Sequence, residues 1–199
     1  LDVEDEIFNL KRLIKEGKAP NGWTIGPLTK PDNLGKILEN DGFLDVYHQA
    51  GMAVELNHLK KPIMDKKDLI IKIVDSEESL QQWITVVSSV FGIKIDFALV
   101  KFLFQKPEVK FYIGNFEGNP ASSLMLYLSS GVAGLHAVST LPEYQNSGFG
   151  YTISRISLID AYKMGYKIGV LQASALGEKI YRKLGFKKYC DINSYKLIQ

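Results

Sequence analysis

The sequence predicts an α/β protein, a mixed sheet with helices on both of its faces. Two patterns predict it. Helical stripes of apolar residues alternate with short runs of β-branched and apolar residues, and glycine, proline and asparagine clusters separate the two kinds of segment. The composition, 46% hydrophobic and 23% charged, is that of a globular protein. A chain of 199 residues has room for one well-buried domain, or for one domain with a half-domain packed against it.

The first 60 residues predict the order helix, strand, helix, strand. The first helix is predicted by four apolar residues on one helical stripe, Val3, Ile7, Leu10 and Ile14. A short strand is expected within residues 23–28, a helix from about 31 to 41, and a strand over residues 46–56. Residues 57–67, rich in lysine and containing a proline, are predicted to be a linker.

The remaining residues predict a larger unit. A strand at residues 69–74 precedes a helix for which Asp75 and Glu78 predict a capping box, and a second helix ends before Pro107. Three strands are expected at 109–117, 122–128 and 132–139, because turn-forming residues separate them. The remaining elements are a helix at 148–164, a strand at 167–172, a helix at 174–184 and a strand pair near the end.

The two parts of the chain resemble each other. An offset of 143 positions pairs residues 22–43 with 165–186 without a gap, matching Gly22 with Gly165 and Phe43 with Phe186. The element order agrees as well, which favours a degenerate internal duplication over two unrelated corners that look alike. We therefore predict a degenerate half-unit at residues 1–60, unable to bind a ligand of its own, and a complete unit at 68–199.

Composition also narrows the function. The net charge is +2, and basic residues are scattered among acidic ones, so neither nucleic acid nor an anionic membrane is expected as a partner. The single Cys190 excludes an internal disulfide, and no apolar stretch or signal-peptide pattern is present, so we expect a cytoplasmic protein. The chain begins at Leu1, and the sequence leaves open whether residues upstream were removed.

The segment from Val138 to Gly150 carries the strongest local signal. It predicts a strand that runs through a turn into a helix, where glycines let the backbone approach a ligand and free N–H groups favour an anion. Such a turn suits a pyrophosphate. It is neither a Walker A loop nor a dinucleotide fingerprint, because the lysine of the first and the third glycine of the second are missing.

This segment resembles the acetyl-coenzyme A motif of the Gcn5-related N-acetyltransferase (GNAT) superfamily, Arg/Gln-x-x-Gly-x-Gly/Ala. Gln145, Gly148 and Gly150 match it, and Tyr181 followed by Gly185-Phe186 closely matches the last motif of that family. The resemblance covers residues 69–197 and is strongest after residue 131. It implies a GNAT-type, mostly antiparallel sheet, here preceded by a degenerate half-GNAT unit.

The resemblance also implies the binding residues. The backbone of Ala137, Val138 and Ser139 is expected to pair with the pantetheine arm like an added strand, at a place where two strands splay apart. Ser174 is expected to be a helix N-cap, with pantetheine contact as a secondary role. The glycine turn is expected to hold the pyrophosphate through Gln145, Asn146, Ser147, Gly148, Phe149, Gly150, Tyr151 and Thr152.

The chemistry needs a base for the amine and an acid for the leaving thiolate. By resemblance Tyr181 suits the acid. The strand position where many family members have a glutamate base is Gly134 here, and His136, two residues on and so on the same strand face, is a candidate base. The alternative is that His136 is a hydrogen-bonded structural residue or contacts the substrate, and Glu143 and Glu117 are other carboxylates nearby in sequence.

We therefore expect an N-acetyltransferase that moves an acetyl group from acetyl-CoA to a primary amine by direct attack. The acceptor is a small molecule or a peptide, its pocket includes the region around residues 91–97, and the sequence does not name it. A non-catalytic acyl-CoA sensor and a transferase of a longer acyl chain are the alternatives. No metal is expected, because His48, His58 and His136 do not stand at the spacing of metal ligands with any cluster of carboxylates. A homodimer is one assembly that the sequence allows.

Overall fold

The computed structural model describes residues 3–60 and 68–198, which form one eight-stranded sheet with helices packed against it. The helices are α1 (Val3–Lys15), α2 (Leu34–Asn40), α3 (Glu77–Phe91), α4 (Phe97–Phe104), α5 (Phe149–Lys163) and α6 (Ala175–Lys183). The strands are β1 (Gly22–Ile25), β2 (Phe43–Glu55), β3 (Leu69–Ile73), β4 (Val109–Phe116), β5 (Asn119–Ser129), β6 (Val132–Thr140), β7 (Ile168–Ala173) and β8 (Lys187–Leu197).

The strand order is β1-β8-β2-β7-β6-β5-β4-β3, and every neighbouring pair is antiparallel except β6 and β7. Helices cover both faces. Leu124 and Leu126 of β5 are buried in a cluster with residues of α5, whereas Met125 between them packs on the cluster that contains α3. Alternation along one strand thus fills two cores. The predicted fold class, a mixed and mostly antiparallel sheet with helices on both faces, is confirmed.

The start of α3 corrects one local prediction. Its N-cap is Ser76, whose hydroxyl accepts the N–H of Ser79 at 3.2 Å, so the predicted capping box of Asp75 and Glu78 is wrong. A serine at this position can supply the oxygen that a helix start needs, and the aspartate precedes the cap by one residue. The helix is anchored further along, where the Trp83 indole N–H donates to the Leu124 carbonyl at 3.0 Å.

The structure at the end of the chain corrects a second prediction. Instead of a strand pair, residues 187–197 form the single strand β8, which pairs with β1 on one side and β2 on the other. The local pattern suggested two short strands, but the partners that satisfy β8 come from the first 60 residues. Leu56–Lys60 forms a 3₁₀ helix, and the rest of the predicted linker, residues 61–67, lies outside the described residues.

Strand β2 lies between β7 and β8, so the N-terminal and C-terminal parts of the chain share one sheet. The β2–β8 ladder has an internal symmetry: the 143-residue offset places β2 on residues 186–198, so that β2 falls on β8 and the pairs Asp45–Tyr195 and Met52–Lys188 map onto each other. In the β2–β8 ladder the extra residues are Val46 and Tyr189, which are also 143 positions apart.

A bulge at equivalent positions of two strands supports the predicted duplication, because bulges are specific features of a strand. The division into units at residues 1–60 and 68–199 stays a prediction. Within the described ranges 3–60 and 68–198, no helix combines the length and apolarity that crossing a bilayer requires.

Candidate active site

The sheet opens between β6 and β7. These strands pair only over residues 132–135 and 168–171, and the last pair is Leu135 with Leu171. Beyond it β7 stays paired with β2, through Gln172 with Gly51 and Ala173 with Ala50. Strand β6 therefore separates from β7 at His136. Parallel strands that part in this way leave backbone N–H and C=O groups facing an open gap.

A bulge at Ala137 redirects β6 at the same point. Ala137 has a φ of 48°, and the register with β5 shifts between the pairs Met125–His136 and Ser123–Ser139. The strand is held beyond the bulge by a buried contact of 2.6 Å between the Ser123 and Ser139 hydroxyls. Ala137 and Val138 thus lie outside the register of both neighbouring strands, as an added strand or an extended ligand would require.

The turn after β6 presents free backbone donors. Asn146 and Gly148 have φ values of 63° and 82°, so two left-handed residues bend the chain before α5 begins. The first helical bond of α5 is donated by the Thr152 N–H to the Gly148 carbonyl, at 3.0 Å. The N–H groups of residues 149–151 therefore have no partner within the helix, and they point out of its N-terminal end, where the helix dipole favours an anion.

The opening and the turn border one cavity of about 1210 Å³. Of the residues predicted for coenzyme binding or catalysis, only Ser147 does not line this cavity. Those that line it are His136, Ala137, Val138, Ser139, Gln145, Asn146, Gly148, Phe149, Gly150, Tyr151, Thr152, Ser174 and Tyr181. Glu117 and Glu143 do not line it either. The structure thus gathers the predicted residues around one space, and their individual roles stay predictions.

Helix α6 positions Tyr181. The helix begins at the N-cap Ser174, whose hydroxyl accepts the Gly177 N–H at 3.2 Å, and the Tyr181 side chain is 8% exposed. Its ring packs edge-on against Phe186, with centroids 5.7 Å apart. Burial raises the pKa of Tyr181 to about 12, so its hydroxyl stays protonated at neutral pH and can act as a donor.

His136 takes the space that a side chain at position 134 would occupy. A Cβ built on Gly134 would lie 2.9 Å from Nε2 of His136, so the imidazole lies beside the bare backbone of Gly134. The ring is reached by solvent from the cavity, yet partial burial lowers the pKa of His136 below its ordinary value. A neutral imidazole at the end of the strand pairing can accept a proton.

Other cavity residues were missed by sequence reasoning. Tyr47 and Gln49 come from β2, and Gln172 comes from the end of β7. Val90 and Phe91 at the end of α3 also line the cavity, so the predicted acceptor region contributes its first residue, Phe91, while residues 92–97 do not line the cavity. The only signal for Tyr47 and Gln49 was the internal repeat, which relates β2 to β8 but not to the site.

Comparison with known proteins bears on the fold. No family model matches the sequence, and no curated protein matches it significantly. Solved structures do. A GCN5-related N-acetyltransferase from Kribbella flavida has a TM-score of 0.77 at 17% identity and covers 97% of this chain and 74% of its own.

Two further structures agree. A GCN5-related N-acetyltransferase from Sphaerobacter thermophilus has a TM-score of 0.70 at 13% identity, covering 92% of this chain and 62% of its own. The ribosomal-protein-S18-alanine N-acetyltransferase from Escherichia coli has a TM-score of 0.55 at 15% identity, covering 65% and 92%. At these identities the likeness establishes architecture rather than activity. The chain has the fold of the Gcn5-related N-acetyltransferase superfamily, as the motif around Gln145, Gly148 and Gly150 predicted.

Proposed function

We propose that the chain is an N-acetyltransferase that transfers the acetyl group of acetyl-CoA to the primary amine of an acceptor by direct attack. The observation that carries the proposal is that the opening between β6 and β7 and the turn at residues 145–150 border the same cavity. The opening suits an extended amide-bearing arm, and the turn suits a pyrophosphate. Coenzyme A carries both groups in one molecule, next to each other.

The glycines of the turn fit this ligand. Gly150 lies in the first turn of α5, and a Cβ built on it would be 3.6 Å from Thr140 Oγ1 and 3.8 Å from Ile180 Cδ1. Both neighbours line the cavity, so any longer side chain at position 150 extends into the space between β6 and α6. The missing side chain keeps that space open for a ligand.

His136 and Tyr181 supply the proton transfers. The acceptor nitrogen attacks the thioester carbonyl, so that a C–N bond forms and the C–S bond breaks. His136 takes the proton that the nitrogen loses, and Tyr181 gives its hydroxyl proton to the leaving sulfur. Proton exchange with solvent then restores both side chains. The lowered pKa of His136 and the raised pKa of Tyr181 keep the two groups in the forms that these roles need.

The experiment is a turnover screen with acetyl-CoA against amines, amino acids, polyamines and peptides, read by release of free thiol, combined with calorimetry of coenzyme binding. Binding together with thiol release that depends on an acceptor is the expected result. Binding without turnover across the whole panel would favour the sensor alternative. Faster turnover with a longer acyl-CoA than with acetyl-CoA would favour the other alternative.

A matched pair of variants ties the activity to this cavity. Gly150→Leu is expected to abolish coenzyme binding, because it fills the space between β6 and α6. Gly26→Leu adds the same side chain at a position that does not line the cavity and where a Cβ meets nothing within 4 Å, and this variant is expected to bind the coenzyme like wild type. Equal binding by the two folded variants would contradict the placement of the coenzyme.

A further inference from the structure

The cavity is lined from both faces of the sheet. Ala50 of β2 and Leu171 of β7 are buried in one cluster with Tyr181 of α6, so their side chains lie on the α6 side. Side chains alternate between the two faces along a strand, and the next residues, Gln49 and Gln172, therefore lie on the opposite face. This is the face on which α3 packs. Both glutamines line the cavity, which thus has an α3 side as well as an α6 side.

His136 and Tyr47 also lie on the α3 side. His136 follows Leu135, which is buried in the cluster on the α6 side, and it pairs across the sheet with Met125, which packs on the cluster that contains α3. Tyr47 is two residues from Gln49 in an unbroken stretch of the β2–β8 register, so the two share a face. An amine that enters the opening from the α3 side therefore meets the imidazole of His136.

Two carboxamides are neighbours on the α3 side. Gly51 of β2 pairs with Gln172 of β7, and Gln49 precedes Gly51 by two residues, so the two glutamines are diagonal neighbours on one sheet face. In the part of the chain that the structure describes, neither side chain has a hydrogen-bond partner. Each carries N–H donors and a carbonyl acceptor, the groups that complement a peptide amide. The pair suits an acceptor that has an amide next to its amine.

The lining also discriminates among amines by charge. No aspartate or glutamate is among the described residues that line the cavity, and Val90 and Phe91 at the end of α3 form an apolar wall. A cation would lie here without a counter-ion, which is costly in a partly enclosed site. At about pH 7.5 roughly a third of an α-amine with a pKa of about 7.8 is neutral, against about 0.1% of an ε-amine with a pKa of about 10.4. The site therefore favours α-amines over ε-amines and polyamines.

We propose that the α3 side of the opening is the acceptor subsite, and that it takes an α-amine followed by an amide, as in amino-acid amides and peptide N-termini with an uncharged first side chain. Gln49 and Gln172 hydrogen-bond to the amide, and Tyr47 and Phe91 contact the first side chain. The proposal rests on the proposed function and narrows its acceptor. The nitrogen gains the acetyl group and gives its proton to His136, and the coenzyme leaves as the free thiol on the α6 side.

The test compares kcat/KM for four amines by release of free thiol at saturating acetyl-CoA. They are leucinamide, isoamylamine, which is leucinamide without its carboxamide, spermidine, and Nα-acetyl-lysinamide, whose free amine is on the side chain. Wild type is expected to prefer leucinamide to each of the other three. In the variant Gln49→Leu/Gln172→Leu, the ratio of kcat/KM for leucinamide to that for isoamylamine is expected to fall at least about tenfold, because two hydrogen bonds to the amide are lost. The ionisation of each amine is the same with both enzymes, so the change in this ratio reports on the amide contact.

A control replaces two glutamines elsewhere. Gln81→Leu/Gln105→Leu, at exposed positions outside the cavity lining, is expected to keep the wild-type ratio. An unchanged ratio in the Gln49→Leu/Gln172→Leu variant, or an equal loss for leucinamide and isoamylamine, would overturn the proposal.

The comparison of amines with wild type needs no variant, so it decides the acceptor class even where a variant fails to fold. A wild-type preference for spermidine or Nα-acetyl-lysinamide would overturn the proposal and leave the acetyltransferase function intact. Absence of acceptor-dependent thiol release with every amine tested would instead refute the proposed function on which the proposal rests.

Discussion

Replacing Tyr181 with phenylalanine removes one hydroxyl and leaves the ring. The ring packs against Phe186 at 5.7 Å in a site that is 8% exposed, and phenylalanine keeps that packing. A general acid contributes about 10²- to 10⁴-fold in rate, equivalent to about 3 to 5 kcal/mol of transition-state stabilisation. Loss of the hydroxyl changes the free energy of unfolding by at most about 1.5 kcal/mol. The variant is therefore expected to be folded and slow.

The assay follows free thiol release at saturating acetyl-CoA and acceptor, with a rapid-quench measurement of the first turnover to show that acetyl transfer limits the rate. Turnover is expected to fall by about 10²-fold or more, while coenzyme affinity and Tm stay close to wild type. Because burial raises the pKa of Tyr181 to about 12, wild type is also expected to show no loss of activity from tyrosine ionisation below about pH 11.

Tyr166→Phe is the matched control, since Tyr166 packs on the same core cluster but does not line the cavity. It is expected to keep wild-type turnover. If Tyr181→Phe stays within about threefold of wild type while acetyl transfer is rate-limiting, Tyr181 is not the acid. A parallel loss in both variants would indicate a packing effect rather than a missing proton donor.

Three more predictions concern the site and its support. His136→Gln is expected to lower turnover by about 10²-fold and to abolish the acid limb of the pH–rate profile. In wild type this limb is expected below about pH 6.5, because burial lowers the pKa of His136 and activity is lost as the pH falls through that pKa. A wild-type pH profile in the variant would argue for a structural histidine. Gly148→Val is expected to abolish coenzyme binding in calorimetry, and since Gly148 has a φ of 82° it is also expected to destabilise the fold by about 1–2 kcal/mol, so retained affinity in the folded fraction would contradict the placement of the turn. Trp83→Ala is expected to lower the free energy of unfolding by about 3–5 kcal/mol in a denaturant titration, because it removes a 3%-exposed side chain and its bond to the Leu124 carbonyl, and a change under about 1 kcal/mol would show that α3 is anchored elsewhere.

Local sequence patterns were enough for most elements. The helical spacing of Leu80, Trp83 and Val87 is enough to predict α3, and turn residues such as Gly118 and Gly131 mark the ends of β4 to β6. Boundaries were less certain. Strand β2 begins at Phe43 rather than at residue 46, because its pairing with the far end of β8 extends it beyond the locally apolar segment. The predicted capping box of α3 was wrong for a local reason, since the adjacent residues Asp75 and Ser76 can each supply a helix cap.

The candidate site shows the same division. The Gln145, Gly148 and Gly150 motif located the turn, because its chemistry depends on a few residues close together in sequence. The sequence predicted only that Gly134 and His136 lie on the same strand face. The tertiary structure shows that Nε2 of His136 lies 2.9 Å from the position of a Cβ built on Gly134, so that the imidazole fills this space.

By itself, the sequence determined the fold class, the order of the helices and strands as far as α6, and the turn that opens α5, because these depend on periodicity, turn chemistry and spacing within a few residues. The tertiary structure alone decided that β2 lies between β7 and β8, and so brings Tyr47 and Gln49 to the cavity. It also decided where β6 leaves β7. Pairing between segments more than 100 residues apart is selected by the packing of the whole sheet, and no local pattern encodes it.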